Sequence, residues 1–303
     1  MSTEPIAISA LPQLCVGTSP LGGMTELYGY DVDSSTAVAT IRTALQRGFR
    51  FIDTSNEYGA GRSELRIGQA MRLEGPTSPP PILASKADPA AGERVFDGHR
   101  VRESFNESVA RLGVERLPVY YLHDPERFDF AEMIAPAGAL AALRSLKAEG
   151  KVDLIGVATG DLSMARAFLE LGDLDLVLNH NRFTLLDRSA NDLIDECVAG
   201  GVGFINAAPY ASGMLAKALS QSPRYRYGAA DPLVVETVTW LHETCELAGV
   251  PLAAVALQFS TRDARVTSTV VGVSDPRRIE EFANNATLNI PDELWLRVAD
   301  RLG

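Results

Sequence analysis

The sequence predicts a (β/α)8 barrel, and three observations carry that expectation. Short apolar runs alternate with longer amphipathic stretches eight times along the chain, and eight units is the number that closes a barrel. The runs are continuously apolar, as strands covered on both faces are. The first strand–helix connection, GTSPLGGMTELYGYDV, lacks the GxGxxG that opens a doubly wound dinucleotide fold, and no acid-ended second strand follows at the fingerprint distance. The 303 residues are read as one barrel domain over 1–303, with no linker, low-complexity tract or repeat beyond the alternation itself.

In order, the expected strands are 14–19, 49–54, 81–86, 118–123, 152–159, 174–179, 202–207 and 267–273. The helices between and after them are expected at 34–47, 62–73, 99–112, 133–149, 162–171, 189–199, 233–248 and 276–286. Apolar residues in these segments recur at three- and four-residue spacing, as in Val38, Ile41 and Leu45. Asp33, Asp161 and Pro276 are start signals; Gly48, Gly113, Gly150, Gly172 and Gly200-Gly201 follow helix ends. Two segments exceed ordinary loop length and are placed at the barrel mouth, 18–32 and 208–231.

Composition narrows the function classes. With 46% apolar and 22% charged residues the chain has the make-up of a globular protein. A net charge of −11 offers no basic face for nucleic acid. No apolar run reaches membrane-span length, and the opening MSTEPIAISALPQL lacks the basic-then-apolar order of a signal peptide. Cys15, Cys197 and Cys245 form neither a CxxC nor a Cys/His pair, so neither a disulfide framework nor a metal site is expected, and a cytoplasmic location is.

Barrel chemistry sits at the carboxyl ends of strands. The second strand ends in Asp53, with Tyr58 five residues later in DTSNEYG; the third ends in Lys86 and the fourth in His123. Lysine at the end of an apolar strand has no packing rationale, and three adjacent strands place the four groups in one mouth. Lys86 beside the Tyr58 phenol is expected to lower its pKa from about 10 towards the working range. Asp53 orients Lys86, and His123 hydrogen-bonds a substrate oxygen. This is an acid–base site for a proton on oxygen. It has no activated nucleophile, carboxylate pair or metal cluster, which leaves hydride transfer with a nicotinamide as a fitting partner chemistry.

Gly17-Thr18, FRFIDTSNEYG at 49–59, Ser85-Lys86 and LHDP at 122–125 stand in an order and spacing that resemble the aldo-keto reductases. That resemblance, which spans essentially the whole chain, implies a (β/α)8 barrel binding NAD(P)H in extended form. It also implies a catalytic tetrad, carried over onto Asp53, Tyr58, Lys86 and His123. The implied coenzyme contacts are Thr18, Asp53, Thr159, His180, Ser212, Ser274, Arg278 and Glu281. The chain departs from the family in having Ala158-Thr159 for Ser-Asn after the fifth strand, His180 for a carboxamide-binding Gln and Ala207 for a stacking Tyr. Gly272-Val273 replaces the Lys-Ser of NADPH-preferring members while Arg278 remains, so NAD and NADP both stay open.

The LLDR, SGML and VGVSD segments are most similar to the family's sugar-dehydrogenase branch, which includes L-fucose, D-threo-aldose and L-galactose dehydrogenases and the related pyridoxal dehydrogenase. The branch implies oxidation of a hemiacetal to a lactone. A general aldehyde or ketone reductase, a pyridoxal 4-dehydrogenase and a coenzyme-binding redox sensor are the alternatives. The expected partner is a small carbonyl or sugar substrate, with neither nucleic acid nor membrane, and with the oligomeric state open. Met24, Leu27, Tyr28, Tyr30, Phe128 and Phe130 are candidate lid residues; Trp240 and Trp295 are expected in the core, and His99 and His242 on the solvent side of helices.

Overall fold

The computed structural model describes residues 5–90, 92–93, 95–217, 224–225 and 228–302. Eight strands, β1 (Leu14–Gly17), β2 (Phe51–Asp53), β3 (Ile82–Ala87), β4 (Leu117–His123), β5 (Val152–Thr159), β6 (Leu176–His180), β7 (Gly203–Ala207) and β8 (Val266–Gly272), close into a barrel. Every neighbouring pair is parallel, and β8 returns to β1 with Gly272 beside Gly17. Strand side chains alternate between two cores. Cys15, Phe51, Val119, Tyr121, Leu154, Leu176 and Ile205 fill the interior, while Val16, Ile52, Tyr120, Leu122, Ile155 and Val177 face the surrounding helices.

The helices are α1 (Ser34–Gln46), α2 (Arg62–Glu74), α3 (Gly98–Leu112), α4 (Ala139–Ala148), α5 (Leu162–Leu169), α6 (Asn191–Ala199), α7 (Pro232–Leu247), α8 (Leu252–Thr261), α9 (Pro276–Thr287) and α10 (Asp292–Leu302). Asp33, Asp97, Asp161 and Asp275 cap α1, α3, α5 and α9 by accepting backbone N–H groups of the first turn.

Two differences from the sequence-based expectation stand out. The helix expected over 133–149 is split into Phe130–Ile134 and α4, because the chain turns sharply through Pro136 and Gly138. A Cβ on Gly138 would lie 2.4 Å from the Glu132 carbonyl oxygen, so the turn admits only glycine. Helices α8 and α10 also lie outside the expected eight; α8 sits in the connection between β7 and β8 and packs directly on β8.

The long segments after β1 and β7 lie at the carboxyl end of the barrel, as expected. Part of the second, 218–223 and 226–227, is outside the described residues; Arg224–Tyr225 and Gly228–Ala229 within it form a two-residue antiparallel ladder. Trp240 and Trp295 pack, partly buried, against the cluster formed by α7, α8 and α10. His99 is exposed, whereas His242 is half-buried with Nε2 3.4 Å from the Met214 carbonyl. No described helix is long and apolar enough to cross a membrane.

Candidate active site

A cavity of about 810 Å³ opens at the carboxyl ends of the strands, and Asp53, Tyr58, Lys86 and His123 line it together. The structure thus brings the three strand-end residues and Tyr58 to one place. Lys86, only 1% exposed, donates from Nζ to Asp53 Oδ1 at 2.7 Å, to the Thr54 carbonyl at 2.6 Å and to the Tyr58 hydroxyl at 3.4 Å. The Tyr58 ring meets His123 edge-on, with centroids 5.7 Å apart.

Glycines fix the loop that carries Tyr58. Gly59 has φ +63° and lies against the segment after β1, where a Cβ would stand 1.9 Å from the Gly22 carbonyl oxygen. The reciprocal Cβ on Gly22 would meet the Gly59 nitrogen at 2.9 Å. Such backbone-to-backbone contact needs glycine on both sides, and it sets the height of Tyr58 above the barrel.

Burial decides the electrostatics. Desolvation raises the Asp53 carboxyl, and Lys86 opposes that rise. The Tyr58 phenol is pushed well above its ordinary value, first by burial and then by the negative charges of Asp53, Asp88 and Asp124. This corrects the expected lowering by Lys86. The ammonium is within reach, but its closest bonds go to Asp53 and Thr54, and Tyr58 in this pocket is a phenol. His123 is raised: burial lowers it, but the charge and hydrogen bond of Asp88 outweigh that loss. His180 is lowered by burial and by the neighbouring His123, so it is held neutral.

The residues implied as coenzyme contacts are placed unevenly. His180 lines the cavity together with Asn181, and its ring fits against Gly160, where a Cβ would fall 2.6 Å from Nε2. Gly17, Ala158, Ala207, Ala208 and Gly272 give the cavity a low wall. The Thr18 hydroxyl is buried and donates to the Asp53 carbonyl at 2.9 Å, and the Thr159 hydroxyl donates to Glu126 Oε2 at 2.7 Å. Neither Thr18 nor Thr159 is among the residues that line the cavity. Ser212 is exposed with φ +60° on the turn after β7. Ser274 hydrogen-bonds Tyr30, whose ring lies 5.5 Å below Lys217 Nζ. Arg278 and Glu281 pair at 2.5 Å on the first turns of α9.

Of the candidate lid residues, Met24, Leu27 and Tyr28 line the cavity. Tyr30 turns to Ser274, while Phe128 and Phe130 pack inwards on Phe96 and Phe168. Sequence reasoning missed the charged rim formed by Glu57, Arg62, Asp124, Glu126 and Arg127, and it missed Asp88 beneath His123. The LHDPER segment carried the signal for three of these as a charged run after a strand end, but loop residues face outwards by default.

The aldo/keto reductase family model matches residues 13–300. The chain is similar to a D-threo-aldose 1-dehydrogenase of a Pseudomonas species, at 31% identity covering 99% of this chain and 97% of the relative. It is similar to a pyridoxal 4-dehydrogenase of Microbacterium luteolum, at 29% identity covering 93% and 91%. An aldo-keto reductase from Bacillus halodurans, solved in its holo form, superposes with a TM-score of 0.78 at 18% identity, over 96% of this chain and 92% of that one. Barrel, site geometry and full-length similarity agree that the chain is an NAD(P)-dependent oxidoreductase belonging to the aldo/keto reductase family.

Proposed function

We propose that the enzyme oxidises a small polyhydroxylated substrate, an aldose in cyclic hemiacetal form such as L-fucose, to its lactone. The observation that carries this reading is the rim. Around the four reactive groups stand Glu57, Arg62, Asp124, Glu126 and Arg127, charged groups of the kind that hydrogen-bond sugar hydroxyls. The relative named for D-threo-aldose supports the same substrate class.

In this oxidation the anomeric C–H bond breaks with its electron pair, the hydroxyl O–H bond breaks leaving its pair on oxygen, and a C=O bond forms. A nicotinamide bound in the cavity supplies the hydride acceptor. The small-residue wall leaves room for a flat ring, and His180 and Asn181 are assigned to its carboxamide. Ser212 is assigned to the pyrophosphate, Ser274, Arg278 and Glu281 to the adenosine end, and Thr18, Asp53 and Thr159 to contacts through the backbone at the strand ends. Tyr58 takes the hydroxyl proton once it is a phenolate, Lys86 faces that phenolate at 3.4 Å, and Asp53 holds Lys86 in place. His123 hydrogen-bonds the same substrate oxygen.

A second reading, a reductase of aldehydes or ketones, is favoured by one observation: the raised Tyr58 is a phenol, the form that donates a proton to a carbonyl oxygen. Initial rates separate the two. A panel of aldoses and pyridoxal with NAD and NADP is compared with a panel of aldehydes with the reduced coenzymes. The proposal expects an aldose to give the highest kcat/KM. A panel in which every aldose is inert while simple aldehydes turn over replaces it with the second reading.

A further inference from the structure

Asp88 is a fully buried acid beside the site and has no role in the chemistry described so far. It follows β3 directly. The β3–β4 register pairs Lys86 with Tyr121 and Ala87 with Leu122, so the next step brings Asp88 beside His123. Asp88 is 0% exposed. Its Oδ1 lies 2.6 Å from His123 Nδ1, and its Oδ2 accepts from the Ser55 hydroxyl and, at 2.9 Å, from the Glu57 backbone N–H. Its own N–H donates to Ser104 Oγ at 3.2 Å, and its carbonyl accepts from Arg100 Nε at 2.9 Å, with Arg100 gripped in turn by Glu107. Buried carboxylates are costly unless satisfied, and every polar atom of this one is spent on holding one geometry.

We propose that Asp88 is a positioning residue for catalysis: its carboxylate holds the proton of His123 on Nδ1 and leaves Nε2 as the atom presented to the reacting oxygen. The consequence is chemical. A neutral imidazole with its proton on Nδ1 offers a lone pair at Nε2 and accepts a hydrogen bond from a substrate hydroxyl. The imidazolium donates from Nε2 to a carbonyl oxygen. The neutral ring therefore suits the alcohol and the charged ring the carbonyl, and Asp88 sets the pH at which one gives way to the other. This inference rests on the proposed oxidoreductase site but not on the identity of its substrate.

Other charges also face the ring. Lys86 on β3 opposes its protonation, Asp124 beside it on the β4 exit favours it with Oδ1 3.9 Å from Nε2, and Asp53, Tyr58 and His180 face it from β2, the following loop and β6. Arg127 acts on Asp88 and Asp124 from the rim. Among these charges only Asp88 is hydrogen-bonded to the ring with full burial; the neutral Ser55 hydroxyl, which donates to Asp88, also lies 3.1 Å from His123 Nδ1. Removing such a charge shifts a neighbour's pKa by about 1–3 units, at least about tenfold in proton affinity.

The chain has four histidines, which makes nitrogen-15 NMR of the imidazoles tractable. The wild-type enzyme without substrate is titrated, with His123→Asn assigning the signal. The neutral form of His123 is expected to carry its proton on Nδ1. Asp88→Asn is expected to lower its titration midpoint by at least about one pH unit and to move the low-pH limb of the rate profile with it, leaving coenzyme affinity unchanged. A wild-type ring protonated on Nε2, or a midpoint unmoved in Asp88→Asn, overturns the proposal. The tautomer needs no variant that must fold and no substrate, so a wrong substrate assignment leaves this outcome intact.

Discussion

Lys86→Met tests whether the floor of the site is a buried ion pair. In the wild type Lys86 Nζ supplies the hydrogen bond to Asp53 Oδ1; Asp53 is 4% exposed and its Oδ2 has no protein partner. Methionine keeps the length of the side chain but strands the carboxylate. Breaking a buried pair on one side costs about 3–5 kcal/mol when the remaining charge stays ionised. Asp53 escapes part of that cost by taking up a proton, which gives the loss a pH signature. Its folded-state pKa, already raised by burial, rises further once the opposing ammonium is gone. Between the unfolded carboxyl value of about 3.9 and the raised folded value, the folded state binds more protons, so stability falls as pH rises. The slope approaches about 1.4 kcal/mol per pH unit within that window and vanishes above it. Urea unfolding at about pH 5 and about pH 8 should therefore show a variant much closer to wild type at the lower value. Adding Asp53→Asn should recover most of the loss and flatten the dependence. A deficit below about 1 kcal/mol, equal at both pH values, would refute the buried-pair description.

Other outcomes follow from the same geometry. Because Tyr58 is held well above pH 10 in the pocket, the oxidation rate should climb through the alkaline range, by up to about tenfold per pH unit, while reduction stays flat there; a bell centred on neutrality in the oxidative direction contradicts this. Arg278→Ala should weaken NADP binding by about 10–150-fold through loss of a charge-assisted contact, with much less effect on NAD. If Arg278 serves only its pair with Glu281, fluorescence titration will show equal, small changes for both coenzymes. Gly59→Ala should cost activity beyond its effect on Tm, since the Gly22 carbonyl occupies the space of the new methyl and Tyr58 must move; kcat unchanged in a folded variant would show that the loop height is immaterial.

The parts of this molecule legible in its sequence are those written by local rules. β5 reads as VDLIGVAT because both its faces are covered, and all eight of its residues are buried. Gly48, Gly113, Gly150 and Gly172 mark helix ends because each adopts a positive φ there. Asp53, Lys86 and His123 were legible because a charge at the end of an apolar strand of a barrel can face only the mouth. What was hidden depends on register and facing. Asp88 meets His123 only through the β3–β4 pairing, which no spacing within either strand reports. Thr18 and Thr159 are expected coenzyme contacts by position, but their hydroxyls turn to the Asp53 carbonyl and to Glu126, which position along the chain does not report. The Tyr58 phenol was misjudged in direction, since proximity to Lys86 can be inferred from a motif and the cost of burial cannot.

The most direct test of the account is Tyr58→Phe, measured as kcat/KM on the best substrate from the panel alongside coenzyme affinity. The hydroxyl is the proton carrier at the reacting oxygen, and phenylalanine removes it while keeping the ring that packs edge-on to His123. The account predicts a loss of about 10²–10⁴-fold in turnover with coenzyme affinity near that of the wild type. Turnover retained at the wild-type level would contradict it.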